Sequence, residues 1–196
     1  MNNTPIPSRR SALVLIDLQK GIVGMKLSPR DGSAVVAASR RLVERFHQAG
    51  ALVVFVRVET SNDGIDALSP LTDAPSTPPV RRPDDWSQLV IEPSKEAGDL
   101  VIVKRQWGAF YGTELDLQLR RRSIETIVLA GISTNIGVES TARDAYERGY
   151  DQVFVEDAMS STSEDAHRMS VTTVFPRMGR VRTSKDLIEM VKDDNA

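Results

Sequence analysis

Three positions in this chain join residue types that can move a proton or hold an anion to places where a fold can use them. Asp17 follows directly on the apolar run Ala12 to Ile16 (ALVLI). Lys104 follows the apolar run Leu100 to Val103 (LVIV). The turn GISTNIG, Gly131 to Gly137, follows Thr126 to Ala130 (TIVLA) and leads into a helical pattern. A carboxylate beside an ammonium in a closed pocket can shift both pKa values and set a proton donor or acceptor against a substrate. Backbone N–H groups at the start of a helix favour negative charge, so the turn could serve as an anion site or oxyanion hole. Taken singly, each feature has an ordinary structural reading: a turn or capping aspartate, a solvated lysine, a glycine chosen for backbone geometry. Their joint placement carries the argument. Trp107, Phe110 and Tyr111 follow Lys104 closely and read either as an aromatic pocket wall or as core. The chain has no cysteine, which excludes a thiol nucleophile, a thiolate zinc site and a disulfide scaffold together.

These positions need strands that end together. Short apolar runs recur at Ala12 to Ile16, Leu52 to Val58, Leu100 to Val103, Thr126 to Ala130 and Gln152 to Val155, with a weaker run at Gly179 to Val181. Uninterrupted runs of this length suit strands buried on both faces, as in a parallel sheet. Amphipathic segments lie between them. Ser33 to Ala49 has helical spacing and a stop at Gly50. Thr113-x-x-Asp116, Ser161-x-x-Glu164 and Thr183-x-x-Asp186 read as helix starts, and Gly137 to Arg148 as a helix stopped at Gly149. Repeated strand–helix alternation predicts a three-layer α/β/α fold with a doubly wound parallel sheet and right-handed crossovers. In such sheets ligands bind beyond the carboxyl ends of the strands, where Asp17, Lys104 and the turn all fall.

Residues 1–196 read as one domain, with no internal repeat. Residues 59–98 are the exception to the alternation and hold six of the ten prolines. A connection this long suggests a lid or a subunit-contact arm, with a short helix over Asp84 to Val90 anchored by Trp86. Net charge is -2 with both signs mixed, which argues against a nucleic-acid or anionic-membrane partner. The densest basic run, Arg120 to Arg122, reads as a solvated helix end. No apolar run approaches the ~20 residues of a membrane span, and MNNTPIPSRR lacks a signal-peptide core, so a cytoplasmic location is expected. The only histidines, His47 and His167, read as structural, and no metal or cofactor is expected.

The blocks LVLIDLQKGI, VIVKRQWGAFYGTEL and VLAGISTNIGVESTARDAYERGY resemble the three signature blocks of the isochorismatase-like hydrolases. The likeness runs from about Ser11 to Val191. It implies a six-stranded parallel sheet in the order 3-2-1-4-5-6. In that order ~10 Å separates the first strand from the third, so Lys104 must lean across the second strand to approach Asp17. Most members of this family are cysteine amidohydrolases with an Asp, Lys, Cys triad. By resemblance Asp17 and Lys104 match the first two, and Gly137 stands at the cysteine position. Isochorismatases proper also carry glycine there and cleave a vinyl ether with water, without a covalent intermediate. Carried over, Asp17 is general acid or base, and Lys104 orients it and meets a substrate carboxylate. The amides of Ser133 and Gly137 line the site, Ile132, Ser133, Ile136, Trp107, Phe110 and Tyr111 contact substrate, and a cis peptide joins Ile132 to Ser133.

The chain departs from two family patterns. The Asp-x-His…His metal pattern of nicotinamidases is absent. The glutamine- and arginine-bearing segment that helps isochorismatases hold their substrate has no match in RVETSNDGIDALSP, residues 57–70, so isochorismate itself is not implied. The expected function is hydrolysis of a small carboxylate-bearing metabolite by direct water attack, in a homo-oligomer of two or four copies. Two alternatives remain: a non-catalytic small-molecule binder that lost the nucleophile, and a scaffold that uses the proline-rich arm.

Overall fold

A computed structural model describes residues 4–61, 63–73 and 82–192. Its centre is a six-stranded sheet: β1 (Ser11–Ile16), β2 (Leu52–Val58), β3 (Leu100–Lys104), β4 (Thr126–Ile132), β5 (Asp151–Ser160) and β6 (Arg180–Arg182). The strand order is 3-2-1-4-5-6 and every ladder is parallel. All six residues of β1 and all seven of β4 are buried, as central strands covered on both faces require. A register shift between Leu129 and Gly131 bends β4 just before the turn it delivers. A small parallel pairing of Ile6–Pro7 with Val191–Lys192 ties the two ends of the domain together.

The helical segments are α1 (Lys20–Val23), α2 (Gly32–Gln48), α3 (Leu115–Arg121), α4 (Glu139–Glu147), α5 (Glu164–Met169) and α6 (Ser184–Met190). One apolar layer packs Val35, Ala38, Leu42 and Phe46 of α2 and Leu187 of α6 against Leu13, Leu15, Val53 and Phe55. The other packs Leu115 and Leu119 of α3 and Ala142 and Ala145 of α4 against Val14, Val54, Ile127 and Leu129. These two layers fix which face each strand residue meets, and so where the strand ends deliver their side chains. Among the described residues no helix is long and apolar enough to cross a membrane.

Several local expectations shift. Thr183 and Asp186 form the capping box that opens α6. Thr113 does not cap α3 in that way; its hydroxyl donates to Ala109 O (2.6 Å) and accepts from Leu115 N (3.1 Å), and the helix starts two residues later. Helix α5 is capped by Ser163 rather than Ser161, whose hydroxyl is engaged with Asn135. No helix forms over Asp84 to Val90. That stretch lies against the residues after β1 through backbone bonds from Gly21 N to Trp86 O (3.0 Å), Lys20 N to Gln88 O (2.9 Å) and Val90 N to Leu18 O (3.0 Å). Hydrogen bonds to another segment replace the helical ones. Of the 59–98 connection, residues 62 and 74–81, with Pro75, Pro78 and Pro79, lie outside the described residues.

Candidate active site

Strand β1 ends in a left-handed residue. Asp17 has φ +53, and its amide still donates to Val56 O (2.8 Å). The reversal breaks the in–out alternation of the strand. Lys104 closes β3 and reaches across β2, so that its Nζ donates to Asp17 Oδ2 at 2.7 Å. The same ammonium donates to Gln106 O (3.1 Å). Asp17 is 4 % exposed and Lys104 2 %. Burial pushes the Asp17 carboxyl up to about 6, against the lowering effect of the Lys104 charge. Its second oxygen, Oδ1, is buried with no hydrogen-bond partner within bonding geometry among the described residues, and the nearby Val58 backbone has only a small lowering effect on the carboxyl.

The β4 turn closes over this pair. Gly131 has φ +120, and a Cβ there would overlap the Ile16 carbonyl, so close strand contact and backbone conformation both call for glycine. The Ile132–Ser133 peptide is cis. Ser133 O accepts from Ile136 N (3.2 Å) and Val138 N (3.1 Å), winding residues Thr134–Val138 into a wide helical turn that runs into α4. Gly137 lies buried against the carboxylate. A Cβ at this position would sit 2.9 Å from Ile16 Cγ2, 3.2 Å from Asp17 Oδ2 and 3.6 Å from Trp107 O.

Asp17, Lys104, Gly137 and the Trp107 backbone therefore meet, and Ser133 and Ile136 lie half-buried on the same turn. The other sequence candidates are distributed differently. Ile132 turns its side chain into the α2 core layer and offers the site only its backbone. Phe110 is core as well: its ring packs on Tyr150, with centroids 5.9 Å apart, and lies under Arg148 at the end of α4. That places it toward the amino-terminal ends of the strands, because Tyr150 precedes β5. The side chains of Trp107 and Tyr111 are 64 % and 78 % exposed. Gln106 braces the loop that carries them, donating to Gly108 O (3.2 Å) and Tyr111 O.

Gln19, which no motif in the sequence singles out, is fully buried. Its side chain accepts from Val58 N (2.9 Å) and donates to Val58 O (3.1 Å) and Trp86 O (3.4 Å), locking the residues after Asp17 to the end of β2. A polar residue in an otherwise apolar stretch next to a strand was the available signal. Among the described residues no group of three or more acidic or histidine side chains is placed to hold a metal ion. The pair of Asp17 and Lys104 has a carboxylate with one oxygen bound and one free, which can give or take a proton at Oδ1.

The sequence profile of the isochorismatase domain matches residues 11–186. The chain is 48% identical over 193 residues to the uncharacterized isochorismatase family protein YwoC of Bacillus subtilis (strain 168), covering 98% of this chain and 100% of that one. It is 30% identical over 208 residues to the ureidoacrylate amidohydrolase RutB of Variovorax paradoxus (strain S110), covering 91% of this chain and 80% of that one. Among solved structures, an isochorismatase family protein from Burkholderia thailandensis superposes with a TM-score of 0.87 at 45% identity, covering 96% of this chain and 98% of that one.

Proposed function

The chain belongs to the isochorismatase family of hydrolases, and from that membership we propose that it adds water directly to a small carboxylate-bearing metabolite, with no covalent enzyme intermediate. The observation that carries this reading is the free oxygen of Asp17, buried and unpartnered while its twin holds Lys104. A carboxyl with a pKa near 6 exchanges protons readily near neutrality. Gly137 offers no nucleophile, and the chain has no cysteine to replace it.

The chemistry that fits is hydrolysis of a vinyl ether or a related bond. Asp17 Oδ1–H protonates the vinyl carbon, and the π electrons form the new C–H bond. Water attacks the resulting oxocarbenium carbon and returns a proton to the Asp17 carboxylate. The hemiketal then collapses to a carbonyl compound and an alcohol, so that one water is consumed and the enzyme is unchanged. Lys104 holds Asp17 in place through Oδ2 and, with its remaining N–H, meets the substrate carboxylate. The RutB relative is named for an amide substrate; here an amide would need direct water attack as well.

The experiment is a turnover screen of small acids bearing vinyl ether, ester or amide bonds, including isochorismate with pyruvate release as readout. Turnover by the wild type that vanishes in Asp17→Asn is the expected result. Thermal stabilisation by screened acids without any turnover would replace this reading by that of a binding protein.

A further inference from the structure

The turn that carries Ser133 and Gly137 is held from behind by a buried histidine. Thr134 Oγ1 lies 3.0 Å from Ser160 O and 2.8 Å from His167 Nδ1, and all three residues are buried. A threonine hydroxyl has one proton, and a carbonyl can only accept. The hydroxyl proton therefore goes to Ser160 O, and His167 Nδ1 must itself carry a proton to donate to Thr134. The assignment follows from the network of partners.

The groups around this contact are also engaged. Ser160 Oγ donates to Arg30 O (2.6 Å) and accepts from Arg30 N (3.2 Å). Ser161 Oγ donates to Asn135 Oδ1, on the residue that follows Thr134 (2.5 Å). On the other side of the turn, Thr141 Oγ1 donates to Gly137 O (2.7 Å). Helix α5 supplies the histidine, and its cap is set by Ser163. Burial and the nearby Arg30 hold the His167 ring below its usual pKa, with Glu164 opposing them, so the ring is neutral at neutral pH.

We infer that His167 is a positioning residue for the site, donating from Nδ1 to Thr134 and thereby fixing the Ser133–Val138 turn against Asp17. The inference deepens the proposed hydrolase reading and rests on it for its functional meaning. Gly137 is the turn residue that closes on the carboxylate, so a turn released from Thr134 would let water reach Asp17.

Two measurements on the full chain test this. The chain has two histidines, so ¹⁵N imidazole spectra can be assigned with His47→Gln. The expected spectrum at pH 7.5 shows His167 protonated at Nδ1; protonation at Nε2 alone would overturn the inference. The second measurement is a ¹³C carboxyl titration of Asp17, assigned by Asp17→Asn. In His167→Leu and Thr134→Val the midpoint is expected to fall by about one pH unit as the carboxyl gains solvent. In His167→Asn, whose amide nitrogen can stand at the Nδ1 position, and in Thr134→Ser it stays near that of the wild type. Wild-type midpoints in both Leu and Val variants, or equal shifts in His167→Asn and His167→Leu, would sink the idea. If His167→Leu does not fold, the Thr134→Val and Thr134→Ser pair and the tautomer still decide. No substrate enters either measurement, so a failure to find turnover would count against the hydrolase reading and leave this one standing.

Discussion

Lys104 Nζ meets Asp17 Oδ2 at 2.7 Å although their strands are separated by β2. The lysine stem spans the gap, and the left-handed turn at Asp17 brings the carboxylate to meet it. Both groups are buried, so removing either one leaves the other without its partner in a desolvated site. Lys104→Met keeps the stem and removes the ammonium. It is expected to cost up to about 3–5 kcal/mol at pH 7, because Asp17 loses its partner and must hold an unpaired buried charge or take up a proton. Asp17→Asn strands the ammonium in the same way. The double variant Asp17→Asn/Lys104→Met is expected to recover most of that loss, since no buried charge remains. Thermal unfolding of all four proteins checks it; additive losses would show that the pair is not coupled.

The pH dependence of turnover separates the two roles open to Asp17. Its carboxyl is raised to about 6, mainly by burial. A general acid works from the protonated form, which is complete below that value and falls about tenfold per unit above it. For the vinyl ether reaction kcat/KM is therefore expected to decline as pH rises through about 6. A rise through the same pH would assign Asp17 as base in the free enzyme and remove the protonation step.

Gly137 has no room for a side chain as the site stands. A Cβ would press on Ile16 Cγ2 and lie 3.2 Å from the carboxylate oxygen that holds Lys104. Gly137→Ala is expected to lower stability by roughly 1–3 kcal/mol, in the range of core overpacking. Ile16→Leu in the same chain removes the Cγ2 branch that the new Cβ would press on and should restore part of it. Gly137→Cys is expected to give no efficient nicotinamide hydrolysis, because the sulfur arrives in a packed site. Robust amidase activity from that variant would refute the packing argument.

The sheet was legible because the β1 and β4 runs are apolar without interruption, and only strands covered on both faces need that pattern. The meeting of Asp17, Lys104 and Gly137 was legible for the related reason that strand ends converge. The aromatic residues were not. Trp107, Phe110 and Tyr111 share one loop, but Phe110 turns inward to Tyr150 while the other two point outward. Loop conformation decides that, and here it depends on the Gln106 side chain bonding back to its own loop. The Thr134–His167 contact joins residues 33 apart in the chain, which no local spacing reports. The stretch from Asp84 to Val90 has a helical pattern, yet its backbone bonds to the residues after Asp17.

That last contact gives a prediction of its own. Gln19 satisfies both backbone groups of Val58 and also bonds Trp86 O, joining β1, β2 and the long connection at one buried amide. Trp86 in turn packs where a Cβ on Gly21 would stand, and Lys20 pairs with Asp85 at 2.8 Å. The exposed ion pair contributes little, so the clamp depends on the amide and the backbone bonds. Gln19→Leu preserves approximate volume but leaves the Val58 N–H and C=O without their side-chain partner. Each orphaned group costs about 1–3 kcal/mol, so for the two a loss of roughly 2–6 kcal/mol is expected. Native-state hydrogen exchange gives the sharper readout. The amides of Lys20, Gly21 and Val90, all donors across the clamp, should lose at least about tenfold more protection than the amides of α2, as expected for local rather than global opening. Equal loss everywhere would mean that the connection is held by the Trp86–Gly21 contact, with Gln19 serving only the general stability of the sheet.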